Sequence, residues 1–299
     1  MLRTTHRLGP AVCGTVVARD VGAVVDAYKD GLGLVVVHDR VMPSTIAAAW
    51  GQPMLAGRRL VLLGADVHDP STHWLRVLHD PDATAPRPMQ RAGWLALEIL
   101  VRDVRALAAR LRNSAFKVLG EPRALEVNDN IWAMQVAGPA GETLYLTEVR
   151  GPAPPFQLPE PARLDAQRLF IPVLSAADRE DALRFYEELN GVAGLRFETR
   201  VSALNSMLGV DPERKRAVGT LQLDGASLIE VDEVPEHEPL RADDARLPSG
   251  LAMVSLLARA DTPLPLGVTW RSHGERDWPG RNVALLRGAA GEWIELLAQ

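Results

Sequence analysis

The chain has one cysteine, Cys13, in 299 residues, which excludes an intrachain disulfide and every zinc site built from several thiolates. It contains no HExxH, HxH or CxxC spacing, so a zinc centre of familiar pattern is also absent. Positive charge is in the minority, with 33 Lys and Arg against 38 Asp and Glu and a net charge of −5. Phosphate backbones are bound by releasing counterions from a basic face, and without a basic run the chain excludes nucleic acid as a partner. No stretch reaches the roughly 18 apolar residues that span a bilayer, and the opening MLRTTHRLGP lacks the apolar core of a signal peptide. A cytoplasmic protein without a membrane partner is expected. Aromatic residues are few, but tryptophan is unusually frequent among them: seven Trp against five Phe and three Tyr.

The apolar fraction, 47%, is enough for two cores, and the length suits two domains. Residues 150–167, RGPAPPFQLPEPARLDAQ, form the one proline-rich linker, because proline disfavours both helix and ladder pairing. On either side of it a pattern repeats. AVCGTVVA reads as a strand, Asp20 as the cap of a helix with Val21, Val24, Val25, Tyr28 and Leu32 on one stripe, and Gly31 and Gly33 as its end. LVVVHDRV, a short helical turn at PSTIAAAWG, RRLVLLGA and HWLRVLHD complete a β-α-β-β-β order.

GWLALEILVRDVRALAARLRNSAFKVLGEP repeats it, with Asp103 as cap and a strand ending at Gly-Glu-Pro, followed by IWAMQVAG and TLYLTEV. RLFIPVLSAADREDALRFYEELNGVAGLRFETRV opens a third copy, and RAVGTLQL, DGAS and LIEVDEV close it as a hairpin. In the fourth copy GLAMVSLLARAD is a strand, TPLPLGVTW holds too many prolines for a helix, and RNVALLRG and WIELLAQ finish the pattern.

Four βαβββ copies with the segments RDVGAVVDAYKDGLGL, VRDVRALAARL and ALRFYEELNGV, and the paired endings GPAGETLYLTEV and GAAGEWIELL, resemble the vicinal oxygen chelate superfamily of glyoxalase I, extradiol dioxygenases and bleomycin-resistance proteins. The resemblance covers nearly the whole chain and implies an α+β fold in which four βαβββ modules form two cup-shaped, curled mixed sheets. It gives an N-terminal domain at 1–149 (modules about 11–80 and 93–149), the linker, and a C-terminal domain at 168–299 (modules about 168–234 and 250–297). Whether modules pair within each half or across the linker stays open. So does the choice between monomer and homodimer.

The same resemblance places metal ligands on the first and last strands of paired modules, the first-strand ligand seven residues before the capping Asp. Taking the halves as pairs, the first pair holds Cys13, Arg76, Ala96 and Tyr145, with Arg76 found by laying HWLRVLHDP on SLIEVDEVP. Alanine cannot ligate and a guanidinium repels a cation. The second pair holds Ile171, Glu230, Val254 and Glu295, where two carboxylates without imidazole would hold a hard divalent ion only weakly. No cofactor is expected, with a divalent metal at Glu230 and Glu295 left open in the C-terminal domain. His38 and His79, next to Asp39 and Asp80, fall at strand ends, and His73 and His79 are too far apart to share an ion.

The residue types suggest other chemistry. Arg76 and Tyr145 together could bind a carboxylate, phosphate or enolate, with Cys13 beside them as a ligand-lining residue. Glu230 and Glu295 could form a carboxylate pair in one cup, one raised by the other to serve as general acid or base, with Tyr145 as a further catalytic candidate. Trp74 and Trp94 are placed on strands near the cup, where indoles would suit a planar aromatic ligand. Trp50 falls in the short helix, and Trp132 and Trp293 on later strands. The expected function is binding of a small organic molecule, anionic or aromatic, that is either sequestered or converted without a tightly bound metal. The competing expectation is a metal-dependent lyase or extradiol-type dioxygenase using Glu295, Glu230 and an unusual histidine, His237 or His273.

Overall fold

The computed structural model describes residues 6–125, 128–240, 246–275, 278–280 and 282–299. Module 1 comprises β1 (Leu8–Ala18), α1 (Val21–Leu32), β2 (Val35–Val41), α2 (Ser44–Ala49), β3 (Arg59–Gly64) and β4 (His73–His79). Module 2 comprises β5 (Gly93–Val101), α3 (Val104–Leu111), β6 (Lys117–Leu125), β7 (Asn128–Ala137) and β8 (Thr143–Val149). Module 3 comprises β9 (Ala166–Ala176), α4 (Arg179–Asn190), β10 (Leu195–Arg200), α5 (Ser202–Met207), β11 (Lys215–Leu223) and β12 (Ser227–Glu233). Module 4 comprises β13 (Gly250–Ala258), β14 (Arg271–Ser272), β15 (Asn282–Arg287) and β16 (Trp293–Ala298).

Local chemistry fixes the helix ends. The Asp20 carboxylate accepts from Ala23 N at 2.9 Å, Asp103 from Ala106 N at 2.9 Å and Asp178 from Asp181 N at 3.0 Å, satisfying amides that have no partner within the first turn. Gly33 and Gly191 end α1 and α4 in the left-handed conformation, at φ 73° and 79°. Module 4 has no helix between β13 and β14 among the described residues, in keeping with its prolines. Two details differ from the sequence reading. β6 runs through Gly120-Glu121-Pro122 to Leu125 instead of stopping there, as an edge strand tolerates proline, and α5 is an extra helical turn.

The modules pair across the linker. One eight-stranded sheet has the order β14-β15-β16-β13-β1-β4-β3-β2, joining modules 1 and 4, and the other has the order β10-β11-β12-β9-β5-β8-β7-β6, joining modules 2 and 3. In each, two first strands meet antiparallel, β1 with β13 and β5 with β9, and each first strand runs parallel to its own module's last strand. We call these the terminal cup (modules 1 and 4) and the central cup (modules 2 and 3).

The main core lies between the two sheets and under α1, α3 and α4, and contributions from all four modules make it one continuous cluster. The sheets approach closely at Gly14 on β1, where any Cβ would overlap the Leu97 side chain of β5. Two indoles tie the sheets together. Trp74 Nε1 on β4 donates to Ala166 O on β9 at 3.2 Å, and Trp94 Nε1 on β5 donates to Trp293 O on β16 at 2.7 Å. Trp74 and Trp94 are therefore joints between sheets and not cup linings, which corrects the ligand-binding role the sequence suggested; register irregularities flank both residues and turn them to the core face.

A second pair of cross-links follows the same pseudo-symmetry. Tyr28 Oη of α1 donates to Glu142 Oε1 at 2.9 Å, and Tyr186 Oη of α4 donates to Glu292 Oε1 at 2.6 Å. Each Glu is the residue after the Ala-Gly of the turn before its module's last strand, and its other oxygen accepts from the backbone of Ala140 or Ala290. Burial pushes both carboxyls up to about 7, partly offset by these hydrogen bonds.

Candidate functional site

Pairing across the linker regroups every site residue. Arg76 on β4 and Glu295 on β16 share the terminal cup, whereas Tyr145 on β8 and Glu230 on β12 share the central cup. The expected partnership of Arg76 with Tyr145 and the expected carboxylate pair of Glu230 with Glu295 are both overturned, because each would join two different sheets. A metal-dependent site on Glu230 and Glu295 fails for the same reason. His237 is no rescue: its Nδ1 meets Ser175 Oγ at 2.6 Å and its Nε2 meets Met89 O at 2.9 Å, so both ring nitrogens are occupied. His273 follows β14 at the edge of the other sheet, with Nδ1 accepting from Glu275 N at 3.1 Å.

In the terminal cup Glu295 is fully buried, and its carboxylate receives four donors. Oε1 accepts from Trp50 Nε1 at 2.9 Å and Trp278 Nε1 at 3.0 Å, and Oε2 from Arg76 Nη2 at 2.5 Å and Ser255 Oγ at 2.6 Å. Arg76 also donates to Ser255 Oγ, and its guanidinium lies 4.7 Å from the Trp278 ring centroid and 5.4 Å from that of Trp50. Burial would raise the Glu295 carboxyl, but the Arg76 charge and these donors hold it below the ordinary carboxylate range. Burial pushes the Cys13 thiol up against the opposing pull of Arg76, so Cys13 is a protonated wall residue and not a nucleophile. A guanidinium thus stands among the positions that the resemblance assigns to metal ligands, and each oxygen of the Glu295 carboxylate accepts two hydrogen bonds.

The central cup encloses a cavity of about 380 Å³ with Glu98, Tyr145, Thr147 and Glu230 among its lining residues, together with Phe156, Phe170, Ile171, Phe197 and Leu228. Ala96, the expected first-strand position, belongs to the apolar packing; Glu98, two residues on, faces the cavity. Register irregularities between Trp94 and Ala96 and between Glu98 and Ile99 defeat a count back from Asp103. Glu98 and Glu230 stand on β5 and β12, which flank β9, and Glu98 pairs in register with Tyr145. The Glu98 Oε1 accepts from Thr147 Oγ1 at 2.7 Å.

Burial and then the neighbouring Glu230 charge push Glu98 up to about 8, and burial pushes Glu230 up to about 7. Asp232, behind Glu230 on β12, is raised further by burial and the same acidic neighbours, against the pull of Arg216. The Tyr145 hydroxyl is buried without a hydrogen-bond partner among the described residues, and burial followed by the Asp232, Glu230 and Glu98 charges keeps it protonated. Of the pair, Glu98 is the one that burial and its neighbour hold more strongly protonated, beside the Tyr145 phenol, and Glu230 is the more readily ionised. Among the described residues no three His, Cys, Asp or Glu side chains are grouped as a metal site.

Sequence reasoning passed over Glu98, Thr147, Ser255 and Trp278. Glu98 had left a signal: it is the one charged residue in the fully buried strand GWLALEILV, and an acid there needs a reason. Ser255, beside the expected Val254, pairs in register with Glu295. Trp278 sits outside any regular element, and no periodicity could have placed it.

No family model matches the sequence, and no curated protein matches it. Solved structures do. Glyoxalase I from Zea mays aligns over 97% of this chain and 92% of its own, at 15% identity and a TM-score of 0.61. A point mutant of that maize enzyme aligns over 97% of this chain and 93% of its own, at 15% identity and a TM-score of 0.62. A putative dioxygenase from Bacillus subtilis aligns over 98% of this chain and 86% of its own, at 14% identity and a TM-score of 0.62. At such identity the likeness is one of fold, and it extends over both cups. No helix among the described residues is long and apolar enough to cross a membrane.

Proposed function

We propose that this chain, a tandem protein of the vicinal oxygen chelate fold, binds a small organic carbonyl compound in its central cup and moves a proton on it without a tightly held metal. The observation that carries the reading is that Glu98 and Glu230 line one cavity, where burial pushes their carboxyls up to about 8 and about 7. A general base works best when its pKa lies near the operating pH, and a neutral carboxylic acid at the same pH is a hydrogen-bond donor. Glu230 is the base that takes a proton from carbon, while Glu98 and the unpartnered Tyr145 hydroxyl donate to the oxygen on which enolate charge develops. The phenyl rings of Phe156, Phe170 and Phe197 favour a flat, uncharged body. In the terminal cup the donor set supports the absence of a tight metal, because Glu295 is saturated by four donors beside a cation.

The test is proton exchange in D2O, followed by proton NMR, on a panel of aryl ketones and β-dicarbonyl compounds, with ligand-induced thermal shift as a separate binding readout. Accelerated loss of α-proton signal that falls at least about 100-fold in Glu230→Gln supports the reading, since general base catalysis contributes about 10²–10⁴-fold. Exchange at the same rate in the wild type and Glu230→Gln overturns it. Binding without any exchange would leave a sequestering protein, the other half of the sequence expectation.

A further inference from the structure

We infer that the terminal cup is a second ligand site, selective for an organic anion with a flat apolar body. Its cavity, about 580 Å³, is larger than that of the central cup. The walls are apolar at Ala11, Leu60, Leu62, Leu257 and Leu297, with the Trp278 ring among them. Among the described residues the charged ones on those walls are Arg40, Arg76 and Arg168, beside His38 and His73, with no Asp or Glu. The central cavity, by contrast, is lined by Glu98, Glu230 and Glu213 together with Arg123 and Arg200, and Arg200 is paired with Glu213.

The three arginines are not equivalent. Arg76 is neutralised by Glu295 and so forms part of the wall, which changes the role the sequence suggested for it. Arg40 lies 5.8 Å from the Trp278 ring centroid. Arg168 is the distinctive one. It sits on β9 of the other sheet and reaches into this cavity, where its Nε donates to Leu169 O at 3.2 Å and its Nη2 to Gly225 O at 3.3 Å, with no carboxylate partner among the described residues. Holding a guanidinium partly out of water against neutral carbonyls alone is costly, and burial lowers its proton affinity accordingly. An anion in the cavity would remove that cost, and a guanidinium matches a carboxylate in a two-point geometry. The site needs neither the carboxyl pair nor the proton chemistry of the central cup.

The probes are 2-naphthoate and 2-naphthamide, alike in shape and different in charge, titrated calorimetrically into the full chain. Naphthoate is expected to bind one per chain and at least about tenfold more tightly than naphthamide, the range a charge-assisted hydrogen bond supplies. Arg168→Gln removes that preference, Arg168→Lys, which keeps the charge, retains it, and Leu62→Trp, which fills the cavity, abolishes binding of both probes. Near-UV circular dichroism verifies that each variant is folded. Equal affinity for the two probes, naphthoate binding indifferent to Arg168→Gln or to Leu62→Trp, or no binding at all, overturns the inference.

Discussion

Replacing Arg76 with methionine keeps most of the side-chain length but leaves Glu295, a fully buried residue, without its cation. The two indole donors and Ser255 remain, so hydrogen bonding is only partly lost and the missing quantity is mainly the charge. Removing one partner of a buried ion pair typically costs about 3–5 kcal/mol, because the survivor is stranded in low dielectric. For a cooperative chain of this length that lowers Tm by about 5–8 °C. The pH dependence gives a sharper signature. In the wild type the Glu295 pKa is held below its unfolded value, so its contribution is present above that value and is lost as pH falls through the folded pKa. Without Arg76, burial raises the same carboxyl, the sign reverses, and the penalty shrinks as pH falls from 7 to 5. Urea denaturation of Arg76→Met, Glu295→Gln and the double variant at pH 5 and pH 7 measures both effects, with the double variant recovering much of the loss at pH 7. Additive single losses, or a penalty for Arg76→Met that grows on acidification, would refute the reasoning.

The folded-state values of about 7 for Glu142 and Glu292 make stability fall as pH rises from about 5 to 7, because unfolding releases protons that the native state holds. Each of Glu142→Gln and Glu292→Gln should flatten that slope by up to about 1.4 kcal/mol per pH unit, read from urea midpoints across the range, and an unchanged slope would show that these carboxyls titrate normally. Gly14→Ala forces a methyl group into Leu97 at the closest approach of the two sheets and should cost about 1–3 kcal/mol, relieved when Leu97→Ala is added; calorimetric unfolding with no coupling between the two changes would contradict that packing.

The four modules were legible because each carries its own local signals. Asp20, Asp103 and Asp178 cap helices, Gly33 and Gly191 end them, and alternation marks the strands around them. Partner choice among modules was not legible, because the antiparallel contacts of β1 with β13 and of β5 with β9 join apolar first strands that local pattern cannot tell apart. That one ambiguity moved Arg76 away from Tyr145 and Glu230 away from Glu295. Residue-level errors at Ala96 and Val254 have different origins: register irregularities in β5 upset a fixed count back from Asp103, and among the described residues module 4 has no capped helix between β13 and β14 from which to count. Tryptophan misled in a third way. Trp74 and Trp94 have polar edges that serve the joint between sheets, while Trp50 and Trp278, less conspicuous in the pattern, bind the buried carboxylate.

The central claim is that Glu98 and Glu230 exchange protons near neutral pH in one cavity. Its direct measurement is the side-chain carboxyl 13C NMR titration of glutamate-labelled protein, with Glu98→Gln and Glu230→Gln used to assign the two signals. Titration of the pair at about 7 and about 8, with removal of Glu230 lowering the Glu98 value, is the result the account predicts. Both signals moving near the ordinary glutamate pKa of about 4.3 would contradict it.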